Sequence, residues 1–195
     1  RHDLGGIEAD AQTWTIADDR IDISGMLFGN AIGPWRASYD AEGLLDGTIS
    51  TEIDPPWASP AGIDAGPNGE LVASSWDPEA EETWIHVYDE PDFDLRWAVS
   101  IADPMEFEVY PGRTAFLSGG DLVAVDTAQI DESDWDVRLR RLAAADGADV
   151  WSTTHSGEPD EGNSIDLGTR IVVDGNDVIS ALGFLEVGND THEVT

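Results

Sequence analysis

The 195-residue chain has no cysteine, no lysine, two methionines and no long apolar run. Without cysteine it can form neither a disulfide framework nor a thiolate metal site, and its redox compartment stays open. All nine basic residues are arginine, set against 41 Asp and Glu, for a formal net charge of −32. So acidic a surface repels the phosphate backbone, which argues against nucleic acid as a partner and disfavours anionic membranes. No apolar stretch approaches the roughly 20 residues of a membrane-spanning helix, so no membrane span is expected. The G-x-S-x-G, phosphate-loop and H-E-x-x-H signatures are missing as well. His2, His86, His155 and His192 are scattered, without the close pairing of a metal site. His86 alternates within a strand-like run and reads as a strand residue, surface or partly buried. With 41 carboxylates a glycosidase-like pair can always be imagined, so their abundance has no diagnostic weight.

What is present is enough for a core. The apolar fraction is 41 %, and the length fits one large all-β domain or two small ones. Three readings of the charge stand side by side: solubility of a sticky β protein, salt adaptation, and cation binding. The chain opens at Arg1 without Met or a signal-type segment, which leads us to expect a mature protein or an excised fragment.

Internal repetition is the most informative feature. "ELVASSWD" at Glu70 to Asp77 returns as "DLVAVDT" at Asp121 and as "DVISALGF" at Asp177, with "IDISGMLFG" at Ile21 a looser relative. Leu71 to Leu122 is 51 residues and Leu122 to Val178 is 56; Trp35 to Trp84 is 49 and Trp84 to Trp135 is 51. Each period of about 50 residues reads as four strands, marked by alternation and by β-branched or aromatic residues, with Pro, Asn, Asp and Gly at the breaks. No stretch holds a capped 3.6-residue period, so helices have no place. The spans are 1–12 as a lone closing strand, 13–53, 61–100, 112–156, and 168–195, which stops inside its third strand.

Four-stranded units at this period predict an all-β fold, a β-propeller of four-stranded antiparallel blades, about four blades' worth or 16 strands. The last part of each repeat resembles the PQQ-like, tryptophan-docking propeller repeat, in which a turn Gly precedes a Trp by four residues on the outermost strand. Gly147 and Trp151 have that spacing, Trp97 takes the same place in the second repeat, and Gly47 stands where the first would have its Trp. The Gly-His mark of WD40 repeats is missing, and Trp-Asp occurs only at Trp76–Asp77 and Trp135–Asp136. The resemblance implies that Trp97 and Trp151 dock on neighbouring blades as structure rather than chemistry. Pairing of the two ends would close four blades; a seven- or eight-bladed ring formed with more chain or a second copy is the alternative.

This plan puts the tight turns on one face and the loops after second and fourth strands on the other, where binding residues are expected. That face carries Asp77, Glu79, Glu81, Glu82, Asp131, Glu132, Asp134, Glu186 and Asp190, and the longer connections add Trp57, Met105, Phe107 and Tyr110. Aromatics beside carboxylates suit a cationic peptide, a sugar or Ca²⁺ at modest affinity. Arg138, Arg140 and Arg141 form the one basic cluster, read as pairing with acidic neighbours across the sheet, with an anion site as the alternative. The expectation is therefore a non-enzymatic interaction or ligand-binding module with no catalytic residues and no cofactor beyond Ca²⁺ as a candidate. Its partner would be a protein, peptide or carbohydrate, or a second copy through an incomplete blade. Family habit places it outside the cytoplasm, extracellular or periplasmic. The alternatives are part of a quinone-dependent or carbohydrate-active propeller enzyme, although the adjacent cysteine pair of many quinone enzymes is missing, and a structural unit assembling through its open blade.

Overall fold

The computed structural model describes residues 8–17, 20–28, 33–50, 59–66, 69–77, 80, 82–89, 92–102, 113–131, 134–156, 164–165, 167–187 and 190–194. All regular structure among them is β, arranged as four consecutive antiparallel meanders. The first sheet pairs β1 (Glu8–Ala17), β2 (Arg20–Phe28), β3 (Gly33–Tyr39) and β4 (Leu45–Ser50) in chain order. The second pairs β5 (Ser59–Ala65), β6 (Leu71–Asp77), β7 (Glu82–Asp89) and β8 (Asp94–Ala102) in the same way. The third holds β9 (Thr114–Phe116), β10 (Leu122–Asp131), β11 (Asp134–Leu142) and β12 (Asp149–His155), with a short β13 (Ser164–Ile165) lying parallel to the start of β11. The fourth has β14 (Leu167–Val173), β15 (Ile179–Val187) and β16 (Asp190–Val194). β1 begins inside the span expected for a lone closing strand, and residues 1–7, which would form the rest of it, lie outside the described residues.

Hairpin chemistry sets the register. In the turns at 40–44, 66–70, 117–121 and 174–178, the first N–H donates to the fifth carbonyl and the fourth N–H donates to the first carbonyl. That closure needs a left-handed fourth residue, supplied by Gly43, Gly69 and Gly120 at φ 77°, 90° and 87°, and by Asp177 at 61°. Asp can hold this conformation when its turn is secured by side-chain bonds, and Asp174 Oδ1 accepts from the backbone N–H of both Asn176 (2.8 Å) and Val178 (2.9 Å). The hairpins equate Ile21, Leu71, Leu122 and Ile179. Val178, which the repeat in the sequence aligns with Leu122, is thus one residue out, and the true step is 57 residues, Leu122 to Ile179. A one-residue slip reverses the face of a strand: Val178 is 56 % exposed where Leu71 and Leu122 are wholly buried.

Irregularities recur at fixed positions. The first strand bulges opposite Ser24, Ser74 and Leu182, each three residues beyond the hairpin residue just equated. The fourth strand bulges one step before Gly47, Trp97 and Trp151, which pair with Ser38, Val87 and Arg141. The third-strand tryptophans are less regular: Trp35 and Trp84 share a position, but the residue equivalent to them in β11 is Arg138, not Trp135.

The sheets pack in chain order. Val72, Ile85, Val87 and Trp97 meet Leu122, Ala124 and Leu142 between the second and third sheets. Val123, Val125 and Val137 meet Ile171 between the third and fourth, with half-buried Trp151, Val173 and Ile179 packed alongside. Each fully buried aliphatic of this size contributes about 1.5–3 kcal/mol. The first interface is more polar: Arg36 donates from Nη2 to the Gly69 carbonyl (2.9 Å) and lies over the Phe93 ring, 5.3 Å from its centroid. Trp97 fastens the second sheet to the third, donating from Nε1 to the Ala144 carbonyl (3.0 Å) beside Gly147.

Candidate functional site

Each meander puts two kinds of connection at opposite ends of its sheet. One end carries the tight first-to-second and third-to-fourth hairpins. The other carries the second-to-third hairpins and the crossings from sheet to sheet. The two ends use their carboxylates differently.

At the tight-hairpin end the carboxylates hold the fold. Asp40 caps its turn through the N–H groups of Glu42 (3.1 Å) and Leu44 (2.7 Å). Asp121 accepts from Arg141 Nε (2.8 Å) and the Ala144 N–H (2.9 Å). Asp149 takes Arg140, and Arg96 bridges Asp89 and Glu70. Asp177 reaches from the fourth sheet to the third, accepting from the N–H (2.7 Å) and hydroxyl (2.6 Å) of Ser118; these bonds hold its carboxyl below the usual range. The basic cluster is thus consumed by pairing, since Arg138 forks onto both oxygens of Asp126 (2.9 and 2.6 Å).

At the other end, Glu82, Asp131, Glu186 and Asp190, which the sequence reads as loop, lie in the strand ladder instead. Asp77 closes β6 opposite Glu82, the first residue of β7. Asp131 closes β10 opposite Asp134, the first residue of β11. Glu186 pairs with Thr191, and Asp190 with Val187. Backbone pairing runs on through these charged residues because the ladder bonds only main-chain groups; the acidic stretches taken as loops are shorter than their composition suggests. Asp77 is mostly buried and accepts the Ala80 N–H at 3.2 Å, and Glu82 is half-buried. Glu79, Glu81, Glu132, Trp57, Met105, Phe107 and Tyr110 lie outside the described residues.

The juxtapositions Asp77–Glu82 and Asp131–Asp134 set like charges directly across a hairpin, an arrangement that destabilises a sheet unless a cation compensates. Asp89 and Asp94 face each other in the same way at the tight-hairpin end, where Arg96 binds Asp89. Across the segments that link these strands, 29–32, 51–58, 78–81, 103–113, 132–133, 156–163 and 188–189, the sequence has one basic residue, Arg113, which is buried.

Two internal features stand out: Asp126, which the sequence does not single out, and His86, expected at the surface or partly buried and found fully buried because both neighbouring sheets close over its strand. Asp126 is buried between the second and third sheets, and that burial raises its carboxyl pKa against the lowering pull of Arg138. A water-sized cavity of about 20 Å³ lies beside it, lined by Thr83, Ile85, Arg113, Thr114, Ala124 and Val125. The available clue was Arg138 itself, charged at a position where the first two sheets carry Trp35 and Trp84. His86 is the second feature: 1 % exposed, between Trp84 and Tyr88 with ring centroids 6.3 Å from each, and pushed down to about 4 by burial. Both groups sit in packed interfaces, where they hold structure. Among the described residues, no group of three or more His, Cys, Asp or Glu side chains is arranged to hold a metal ion. No helix among them is long and apolar enough to cross a membrane.

No protein-family model matches the chain, and no curated protein matches it. Among solved structures it is similar to a provisionally assigned hydrolase from Bacteroides ovatus, 9 % identical, covering 94 % of this chain and 56 % of that one at a TM-score of 0.41. It is also similar to the tail fibre of Staphylococcus aureus phage P68, 11 % identical, covering 97 % of this chain and 50 % of that one at a TM-score of 0.32. The chain thus spans about half the length of each, and likeness at these scores assigns neither a family nor an activity.

Proposed function

We propose that the four sheets are copies of one unit arranged as blades of a β-propeller, and that the chain serves as a non-enzymatic interaction module for a positively charged partner. The recurring bulges, the shared hairpins and the Trp97 contact with the following sheet support the architecture. The function rests on one observation: the acidic residues Asp77 and Glu82, and Asp131 and Asp134, stand opposite each other in the ladder at the second-to-third hairpins, at an end whose connections carry a single basic residue, the buried Arg113. A cationic surface placed there would meet these carboxylates and would be steered in by the field of the whole chain.

A fluorescent oligo-arginine peptide titrated into the protein at several salt concentrations tests this reading. Binding should be saturable and weaken with salt, and the double variant Asp77→Asn/Glu82→Gln, or Asp131→Asn/Asp134→Asn, should weaken it. The control removes the same charge at the opposite end, with Asp92→Asn and Asp146→Asn, both exposed there. Equal losses from the two ends would show attraction to overall charge alone and would refute the site.

A further inference from the structure

The three inter-sheet interfaces of this chain are built from one set of register positions. Asp22, Val72 and Val123 each follow the hairpin residue of their second strand, and each faces the next sheet at 7 %, 1 % and 0 % exposure. Two residues further on, Ser24, Ser74 and Val125 are buried in the same way. In the fourth sheet these positions are Ser180 and Leu182, and there the burial stops. Ser180 is exposed, Leu182 only half-buried, and Val172, which pairs with Ser180, is 57 % exposed. Phe184 is 40 % exposed, whereas its equivalent in the third sheet, Thr127, is completely buried.

The opposite, receiving faces share a pattern too. Three of the four second strands offer a large aliphatic residue and, two positions on, an alanine: Leu71 and Ala73, Leu122 and Ala124, Ile179 and Ala181. The small second residue lets the forward face of the preceding sheet approach closely. The first sheet departs from it with Ile21 and Ile23, which lie on one face with the buried cluster Leu27, Trp35 and Ala37, while Ile21 itself stays 37 % exposed. A second copy of the chain is disfavoured because two molecules each at −32 repel.

From the continuity of these interfaces, we infer that the forward face of the fourth sheet, Val172, Ser180, Leu182 and Phe184, docks a further antiparallel sheet of the same build. The sheet is carried by a partner polypeptide whose second strand opens with a large aliphatic residue, any residue, then alanine. The inference rests on the sequential packing and is independent of the acidic end, so the oligo-arginine titration can fail without touching it.

The test appends a second copy of residues 112–156, the third sheet, to Thr195 through a Gly/Ser linker. Hydrogen exchange is then read at the backbone amides of Ser180 and Leu182. Docking should slow that exchange by about tenfold or more, as expected when an open face becomes part of a cooperative interface. Leu122→Asp in the appended copy alone should abolish the slowing. Unchanged exchange in the fusion overturns the proposal. A second arm needs no fusion: Phe184→Glu in the unmodified protein should leave Tm unchanged, while Thr127→Glu lowers it sharply. If Phe184→Glu is equally damaging, or breaks a dimer seen by light scattering, the face is covered by the chain itself or by a second copy, and the proposal fails.

Discussion

Replacing Gly147 by alanine should unlock the second sheet from the third. Gly147 has φ 71°, and a Cβ built on it would lie 2.7 Å from Trp97 Cε3 and 2.8 Å from Val99 Cγ1, closer than real Cβ atoms come to any neighbour. Holding alanine in the left-handed region costs about 1–2 kcal/mol. Forcing the indole and Val99 aside costs about 1–3 kcal/mol more and pulls Trp97 Nε1 off the Ala144 carbonyl. At about 2–4 °C per kcal/mol for a chain of this size, Tm should fall by something on the order of 5–15 °C. The two costs separate in a Trp97→Ala background, where the indole is gone and most of the crowding with it. Gly147→Ala should then cost little more than its backbone share, leaving a coupling of about 1–3 kcal/mol in a double-mutant cycle read by urea unfolding. Equal costs in both backgrounds would show that the indole does not rest on Gly147.

Three further outcomes follow from buried and surface charge. Burial pushes His86 down to about 4 from 6.5, so the folded state resists its protonation. Its contribution is complete above pH 6.5 and is lost as pH falls from 6.5 to 4, by about 3 kcal/mol. The unfolding free energy of the wild type minus that of His86→Gln, in which carboxylate titration cancels, should decline across that window; a flat difference refutes the assignment. Arg138→Leu should cost about 3–5 kcal/mol by leaving the Asp126 carboxylate buried and unmatched, and adding Asp126→Leu should recover part of the loss in chemical unfolding. No recovery would mean that the pair acts through packing alone. Raising KCl should raise Tm by screening the self-repulsion of a chain at −32, and a flat or falling Tm would show that the surface carboxylates repel little.

The sequence made the meanders legible because each strand alternates and each hairpin is spelled in Gly, Asn and Asp. "PNG" and "GG" place Gly69 and Gly120 where the left-handed residue must fall. The same spelling misleads at 174–178, because Asp177 takes the glycine's role and looks like the strand-opening acid that aligns with Asp121. The equivalence of Gly47, Trp97 and Trp151 could be read from spacing, since the bulge before each is conserved in place although invisible in composition. Trp135 could not be told from Trp84's counterpart, because β11 runs on beyond the position where Trp84 stands and spacing alone does not reveal strand length. β13 touches β11 through two residues in parallel, too short a contact to leave any period. At the acidic end, composition favoured loops where the backbone continues its ladder, so Glu82, Asp131, Glu186 and Asp190 lie in strands where their charge suggests loop.

The central claim is that the sheets turn around an axis, and pulsed dipolar distance measurement tests it most directly, helped by a chain with no native cysteine. Glu42→Cys, Asp92→Cys and Ala145→Cys place spin labels on exposed third-to-fourth turns of the first three sheets. If the sheets are arranged as blades, the distance from label 42 to label 145 will be clearly shorter than the two neighbouring distances laid end to end. A distance equal to their sum would describe a straight stack of sheets and contradict the account.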